Sequence, residues 1–289
     1  MGVANAVSGR MRNESDPIAD LARDLRLNAA AFIVTIYGDV VVPRGGVLWT
    51  GTLIDLCARV GINESLVRTA VSRLVAARQL QGERIGRRSY YRLDASARAA
   101  FDQAAGLLYG HDVPARGWQV IHAPELSPEE GRRQRLGHMG GSVFIRPDRG
   151  QAAPSGALTL HAVDPDDPAG LAQFWDLSAL QAGYEEIIER FAPLERSISA
   201  RTLSDADAVM ARLLLVHAYR HVLLRDPRLP QAALPPGWSG HDARDLFRRL
   251  YLRLTPAAER HIAARCEGEE GALPAQTVAS RDRLLEPTI

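Results

Sequence analysis

The 289-residue chain contains no lysine; all 35 of its basic residues other than histidine are arginine. Schiff-base lysine chemistry is excluded, and so is a phosphate loop that depends on its lysine. Cysteine is nearly as scarce. Cys57 and Cys266 lie far apart and make no CxxC, so two free thiols in a reducing cytoplasm are expected. No apolar run reaches membrane-spanning length. The nearest, residues 29–42, is interrupted by Thr35, Tyr37, Gly38 and Asp39. The opening MGVANAVSGRMRNESD lacks the continuous apolar stretch of a secretory signal, and Ala6 breaks a myristoylation pattern. These absences predict a cytoplasmic protein without membrane contact.

The apolar fraction of 46% and charged fraction of 24% are ordinary for a globular protein. The length suggests two or three domains. Net charge is only +1, but it is unevenly spread. Residues 61–93 hold seven arginines against two acids, whereas residues 164–207 hold ten acids against three arginines. A basic module joined to an acidic one fits a protein that touches a polyanion at one end.

The basic stretch, GINESLVRTAVSRLVAARQLQGERIGRRSYYRL, is the most informative. Asn63 is a good N-cap, and Ile62 and Val67 have hydrophobic-staple spacing. Val67, Ala70, Val71 and Leu74 fall at i, i+3, i+4 and i+7 and predict a buried helical stripe. The opposite face then carries Ser65, Arg68, Thr69, Ser72 and Arg73. Two strand-like segments, residues 80–84 and 87–93, follow around Ile85-Gly86. Upstream, residues 27–42 predict a buried helix broken by Pro43, Arg44, Gly45 and Gly46, then a short strand Val47-Leu48-Trp49. Thr50 is placed as N-cap of a second helix that stops at Gly61.

Helix, turn, hydroxyl-rich helix and arginine-rich hairpin make the pattern of a winged helix-turn-helix. Major-groove reading needs short polar side chains and arginines aimed at base edges. Ser65, Arg68, Thr69, Ser72 and Arg73 meet that need. Arg84, Arg87, Arg88 and Tyr90 on the hairpin, with Thr50, are candidates for holding double-stranded DNA by its backbone. The plain alternative is the solvated face of a small helical domain, since arginines fall on every surface here. Three coincident cues weigh against it: the capped turn, the hydroxyl-rich helix and the basic hairpin directly after it.

The predicted organisation is an α+β multidomain chain. Residues 1–25 form a flexible tail that turns helical near Ile18, 26–94 the winged helix-turn-helix, and 95–114 a helical linker. Residues 115–176 read as strand, helix, strand, strand, helix, which suggests a small ferredoxin-like central domain. Its strands fall at 118–122, 142–145 and 157–163, and its closing helix at 168–174. Residues 177–266 read as a helical C-terminal domain, with separate helices at 243–254 and 256–266. The second of these takes Thr255 as N-cap and Pro256 at N1. Residues 267–289 read as a disordered tail.

Residues 31–93 resemble the PaaX family of repressors of phenylacetic acid catabolism, through FIVTIYGDVVVPRGGVLWTGTLI, LVRTAVSRLVAARQL and GRRSYYRL. The resemblance continues loosely through Trp118 and FIRP, and returns at HAYRHVLLRDPRLP and ARDLFRRLY. It implies a homodimer on a palindromic operator, released by an aryl-CoA thioester, usually phenylacetyl-CoA. It also implies a ferredoxin-like centre and a helical C-terminal domain. His217, Tyr219 and Arg220 become candidates for an effector pocket on that resemblance alone.

Other constellations are weaker. His217 and His221 have metal-ligand spacing, but Ala218, Tyr219 and Arg220 lie between them and no third ligand is evident. Arg132, Arg133, Arg135 and His138 form a second basic run, able to grip CoA phosphates through forked hydrogen bonds. The outer face of a helix is the favoured reading of that run, and Arg132 and Arg133 are kept as effector candidates. GxGxxG, GxSxG and calcium-loop patterns are absent. No catalytic residue, metal or cofactor is expected. Two rivals stand: an enzyme whose basic hairpin serves a CoA or nucleotide substrate, and a regulator of another pathway.

Overall fold

A computed structural model describes residues 17–285 apart from 24, 26, 164, 201 and 202. The expected flexible tail therefore lies outside the described residues up to position 16. Its end is not loose: α1 (Pro17–Ala22) puts Ile18 and Leu21 into the core.

In α2 (Ala29–Ile36) the Asn28 side chain caps the helix by accepting from the backbone N–H of Ala30 and Ala31. The single helix expected over residues 27–42 is interrupted. After Ile36 the chain takes a π-helical turn, Tyr37–Val41, and then a 3-10 turn, Val42–Arg44. The wider turn admits an extra residue and shifts the buried face, so that Tyr37, Asp39, Val40 and Val41 all point inward.

Next come β1 (Val47–Trp49), α3 (Thr50–Ala58), α4 (Glu64–Ala76), β2 (Leu80–Ile85) and β3 (Arg88–Leu93). The three strands form an antiparallel sheet in the order β1-β3-β2. Gly86 and Arg87 form a two-residue turn between β2 and β3. Gly86 stands at φ +61, a conformation that glycine adopts without a Cβ clash and that suits tight hairpins. α5 (Arg98–Tyr109) then leads to a second sheet, built from β4 (Trp118–His122), β5 (Gly137–Gly140), β6 (Val143–Pro147) and β7 (Leu158–Ala162), with α6 (Pro128–Arg133) between β4 and β5.

This sheet runs β5-β6-β4-β7, antiparallel throughout. It departs from the sequence reading in two ways. β5 went unseen, because GHMG offers no apolar alternation to read. The closing helix is a 3-10 run, Ala169–Phe174. Residues 148–157, where no helix was expected, cross from β6 to β7 without one, and their Pro and Gly do not favour one. α6 forms as expected, with a capping box between Ser127 and Glu130 and Pro128 in the first turn.

The remaining helices are α7 (Leu177–Ala200), α8 (Asp205–Leu223) and α9 (Gly240–Arg265). The two helices expected after residue 243 are one. Thr255 does not cap a new start; its hydroxyl donates back to the carbonyl of Tyr251 at 2.7 Å, inside the core. The disordered tail is also corrected. β8 (Glu267–Gly268) and β9 (Gly271–Ala272) form a hairpin, and α10 (Val278–Asp282) follows. Polar contacts hold this segment, and such contacts leave no periodic signal. Arg44 donates to the carbonyls of Pro274 and Ala275, each at 3.0 Å, and Thr277 donates to that of Pro43 at 2.6 Å.

At the centre, the Asp39 side chain is wholly buried beside Arg212, which is 1% exposed. Arg212 Nε donates to Asp39 Oδ2 at 3.0 Å, and the hydroxyls of Tyr109 and Tyr251 each donate to Oδ1 at 3.0 Å. Arg283 donates to the Asp39 carbonyl at 3.1 Å. Burial pushes the Asp39 carboxyl up, but the guanidiniums of Arg212, Arg283 and Arg44 outweigh it and hold it below the ordinary carboxylate range. Removing one member of such a pair leaves the other charge buried and uncompensated.

Asp39→Asn is therefore expected to cost about 3–5 kcal/mol in urea denaturation. A carboxyl with a depressed native pKa stabilises fully above its unfolded value, about 4, and loses that contribution as pH falls through the native value. The gap between the wild type and Asp39→Asn should therefore hold at neutral pH and close in strong acid.

Candidate nucleic-acid interface and ligand cavity

α4 has two faces, as its periodicity requires. Val67, Ala70, Val71 and Leu74 are buried, and Ser65, Arg68, Thr69, Ser72 and Arg73 are exposed. Asn63 caps the helix by accepting from Leu66 N–H at 2.9 Å. That caps a helix end that would otherwise leave its first amides unpaired. Arg68 rests on Glu64, four residues back, at 2.6 Å. The hairpin tip adds exposed Arg84, Arg87 and Arg88. The tip follows α4 in the chain, with residues 77–79 and β2 between them.

Two of the ten candidates do not join them. Thr50 is buried and its hydroxyl donates to the Ser89 carbonyl at 2.7 Å, tying the start of α3 to β3. Trp49, not Thr50, occupies the N-cap position, and it makes no side-chain cap bond. Tyr90 is 7% exposed. It pairs across the sheet with Trp49 and Glu83 from the central strand. Strand alternation put Tyr90 with Arg88 and Arg92, but the longer arginines carry their charged ends out to water while the ring stays buried. Sequence reasoning missed Leu66, which is 51% exposed on α4; a lone apolar residue off the buried stripe is its only signal.

A cavity of about 880 Å³ lies between α2, α5 and α8 and extends to the end of α4. Its apolar wall includes Val34, Leu74, Phe101, Leu107 and Leu108. Arg78, Arg133, Arg135, Arg220 and Arg283 supply positive charge. Arg133 pairs with Glu129 at 2.5 Å. Arg283 lies over the Tyr109 ring at 4.4 Å and belongs to the Asp39 cluster. Arg135 and Arg220 are half-buried and form no ion pair among the described residues. Burial disfavours the charged form of each, and Arg228 adds repulsion at Arg135. Cations held this way would gain from an anion in the cavity.

Residues 28–97 match the family of PaaX-like proteins, and residues 175–264 match the PaaX-like protein C-terminal domain. Transcriptional repressor PaaX of Escherichia coli (strain K12) is 31% identical over 278 residues, which cover 86% of this chain and 87% of that protein. The chain belongs to the PaaX family. The relative is a transcriptional repressor, and the reading of the basic hairpin as part of an enzyme finds no support in it. Among solved structures, Uncharacterized protein Rv0674 from Mycobacterium tuberculosis is similar at a TM-score of 0.45 and 22% identity, over 72% of this chain and 88% of that one. That likeness is too distant to bear on the fold.

In this PaaX-family chain the effector candidates separate. Arg133 and Arg220 line the cavity, joined by Arg78, Arg135 and Arg283. Arg283 lay in the segment read as disordered. Arg132 is exposed and outside the lining. Tyr219 is a core residue, stacked on Phe247 with ring centroids 4.4 Å apart. His217 is buried, with Nδ1 at 3.0 Å from the Thr35 hydroxyl and its ring edge-on to Phe32 at 5.5 Å. His221, one turn on, is exposed, and no group of three potential metal ligands occurs among the described residues.

Burial, and then the charges of Arg220 and His221, push the His217 pKa down to about 4. Between that value and about 6.5 the unfolded chain binds a proton that the folded chain refuses. His217 should therefore lower stability progressively as pH falls from about 6.5 towards 4, by up to about 3 kcal/mol. Thermal melts across that range should show a weaker pH dependence in His217→Gln, after the offset between the two proteins at pH 8 is subtracted.

Proposed function

We propose that the chain is a DNA-binding transcriptional repressor, cytoplasmic and dimeric, in which residues 26–94 work as a winged helix-turn-helix. The carrying observation is the exposed hydroxyl-and-arginine face of α4 followed in the chain by an exposed arginine hairpin tip, in a chain similar along most of its length to a transcriptional repressor. In this reading Ser65, Arg68, Thr69, Ser72 and Arg73 meet base edges in the major groove, and Leu66 offers an apolar contact to a thymine methyl group. Arg84, Arg87 and Arg88 hold phosphates, which fixes register and makes affinity fall as salt rises. A homodimer would place two such helices on a palindromic operator, its half-sites about one turn or roughly 34 Å apart. The central and C-terminal regions, residues 115–176 and 177–266, would serve as ferredoxin-like and helical domains for dimerisation and ligand response.

The ligand we propose is an aryl-CoA thioester such as phenylacetyl-CoA, acting on a phenylacetate catabolic operon. The cavity volume is in the usual range for small-molecule sites. Its wall pairs apolar surface for an aryl group with arginines for phosphates, which bind such groups in forked geometry. Leu74, Ala77, Arg78 and Gln79, at and just beyond the end of α4, form part of that wall. A ligand that prefers one position of α4 would shift the population of the DNA-competent form, because only differential affinity moves such an equilibrium.

Fluorescence anisotropy against the duplex upstream of the chain's own gene tests both parts. Tight, salt-sensitive binding abolished by phenylacetyl-CoA but not by free phenylacetate is the expected result. Arg68→Ala with Arg73→Ala should weaken operator binding tenfold or more, at about 1–3 kcal/mol per base contact, and leave thioester binding intact. Arg135→Gln with Arg220→Gln should do the reverse. Specific binding indifferent to the thioester would keep the repressor and discard this ligand. Equal, weak binding to unrelated DNA would remove the repressor reading.

A further inference from the structure

The C-terminal hairpin lies against the wing and puts two carboxylates on its arginines. Glu267 pairs with Arg88 at 2.5 Å, and Glu269 with Arg92 at 3.0 Å. Arg92 also meets Glu83 on β2 at 2.7 Å, and Arg88 lies over the Trp49 ring at 4.5 Å. The hairpin is closely seated. Glu267 N–H donates to the Thr52 hydroxyl at 3.1 Å, and a Cβ on Gly268 would stand 3.1 Å from the Val47 carbonyl oxygen. Behind it the chain is held by Arg44 and by the Gln276–Glu259 hydrogen bond at 2.7 Å.

Seating and ion pairing differ in strength. The four paired side chains are 37–50% exposed, and ion pairs in that setting contribute little because water screens them. The hairpin is thus fixed in place while its ion pairs can be exchanged. A carboxylate against a guanidinium occupies the position that a phosphate would take.

We propose that the hairpin is a built-in counter-anion: Glu267 occupies Arg88, and Glu269 shares Arg92 with Glu83, until a duplex phosphate displaces the hairpin carboxylates. This autoinhibitory contact rests on the DNA-binding reading above. It lowers affinity for any duplex and raises the contribution that base contacts from α4 must make before a complex persists. The interaction is with the phosphate backbone, so it acts on all sequences alike.

The test compares full-length wild type, the double variant Glu267→Gln/Glu269→Gln, and Glu270→Gln, each titrated with an unrelated duplex and with the upstream duplex at two salt concentrations. Glu270 sits in the turn of the same hairpin and pairs with neither Arg88 nor Arg92, so its loss removes charge without freeing an arginine. The double variant should bind both duplexes about three- to tenfold more tightly than wild type, as expected for releasing two exposed pairs. Glu270→Gln should stay within about twofold. Gly268→Val, which keeps every charge but crowds Val47, should shift affinity in the same direction as the double variant. Melting curves confirm that each variant is folded. A double variant that binds no more tightly than Glu270→Gln, or more weakly than wild type, would overturn the proposal and leave the hairpin a structural buttress. Wild type that failed to prefer the upstream duplex would count against the repressor reading, while the comparison on unrelated duplex would still decide this one.

Discussion

A buried carboxylate needs partners delivered to it from the rest of the chain, and Asp39 draws them from four places. Arg212 comes from α8, Tyr251 from α9, Tyr109 from the end of α5, and Arg283 from just beyond α10. The four residues stand at least 32 positions apart in sequence. A charge taken out of water is tolerated only when opposite charge and hydrogen bonds replace its hydration. The cluster therefore fixes how the N-terminal region, the helical C-terminal region and residues 267–285 lie on one another. The π-helical turn at Tyr37–Val41 is the local deformation that aims Asp39 at this meeting point.

The same cluster shapes the ligand cavity. Asp39, Tyr109 and Arg283 belong to its wall, so one side is rigid. α5, which ends at Tyr109, supplies more of the wall and has no fully buried residue. Ahead of Tyr109 little buried surface holds this helix, and elements that respond to ligands tend to come from such regions. The cavity also touches the end of α4, while the exposed face of α4 turns outward. In the proposed function, ligand and DNA would bear on one helix from two directions. The C-terminal segment runs from the wing, through Glu267 and Glu269, to the cavity, through Arg283, and links the same two regions by a second route.

How much was legible can be judged residue by residue. The Asn63 cap and the Val67–Leu74 stripe were readable because a helix cap and a 3.6-residue period are local properties of the chain. The exposure of Ser65, Arg68, Thr69, Ser72 and Arg73 followed from them. Tyr90 misled because alternation assigns faces but does not say which face of a three-stranded sheet is covered. Thr50 misled because a threonine at a helix start can serve several backbone partners, and here it chose a strand carbonyl. Thr255 and Pro256 carried a strong helix-start signal that packing of α9 over its whole length overrode. Arg135 was legible only as one of a basic run read by preference as a helix face, and Arg283 carried no signal as a cavity residue, since an arginine looks alike in a sequence whether or not an acid awaits it.

The sequence by itself determined the kinds of element, the faces of α4, the arginine hairpin and the family, because these depend on residues close together in the chain. Tertiary structure alone decided that Asp39 is the buried hub, that residues 267–285 are ordered, and that five arginines surround one cavity. It also decided that Arg88 and Arg92 meet acids nearly 180 residues away. The physical reason is range. Caps, turns and amphipathic stripes are set by interactions within one or two helical turns. Desolvation and charge pairing depend on which distant segments exclude water together, and no local pattern encodes that.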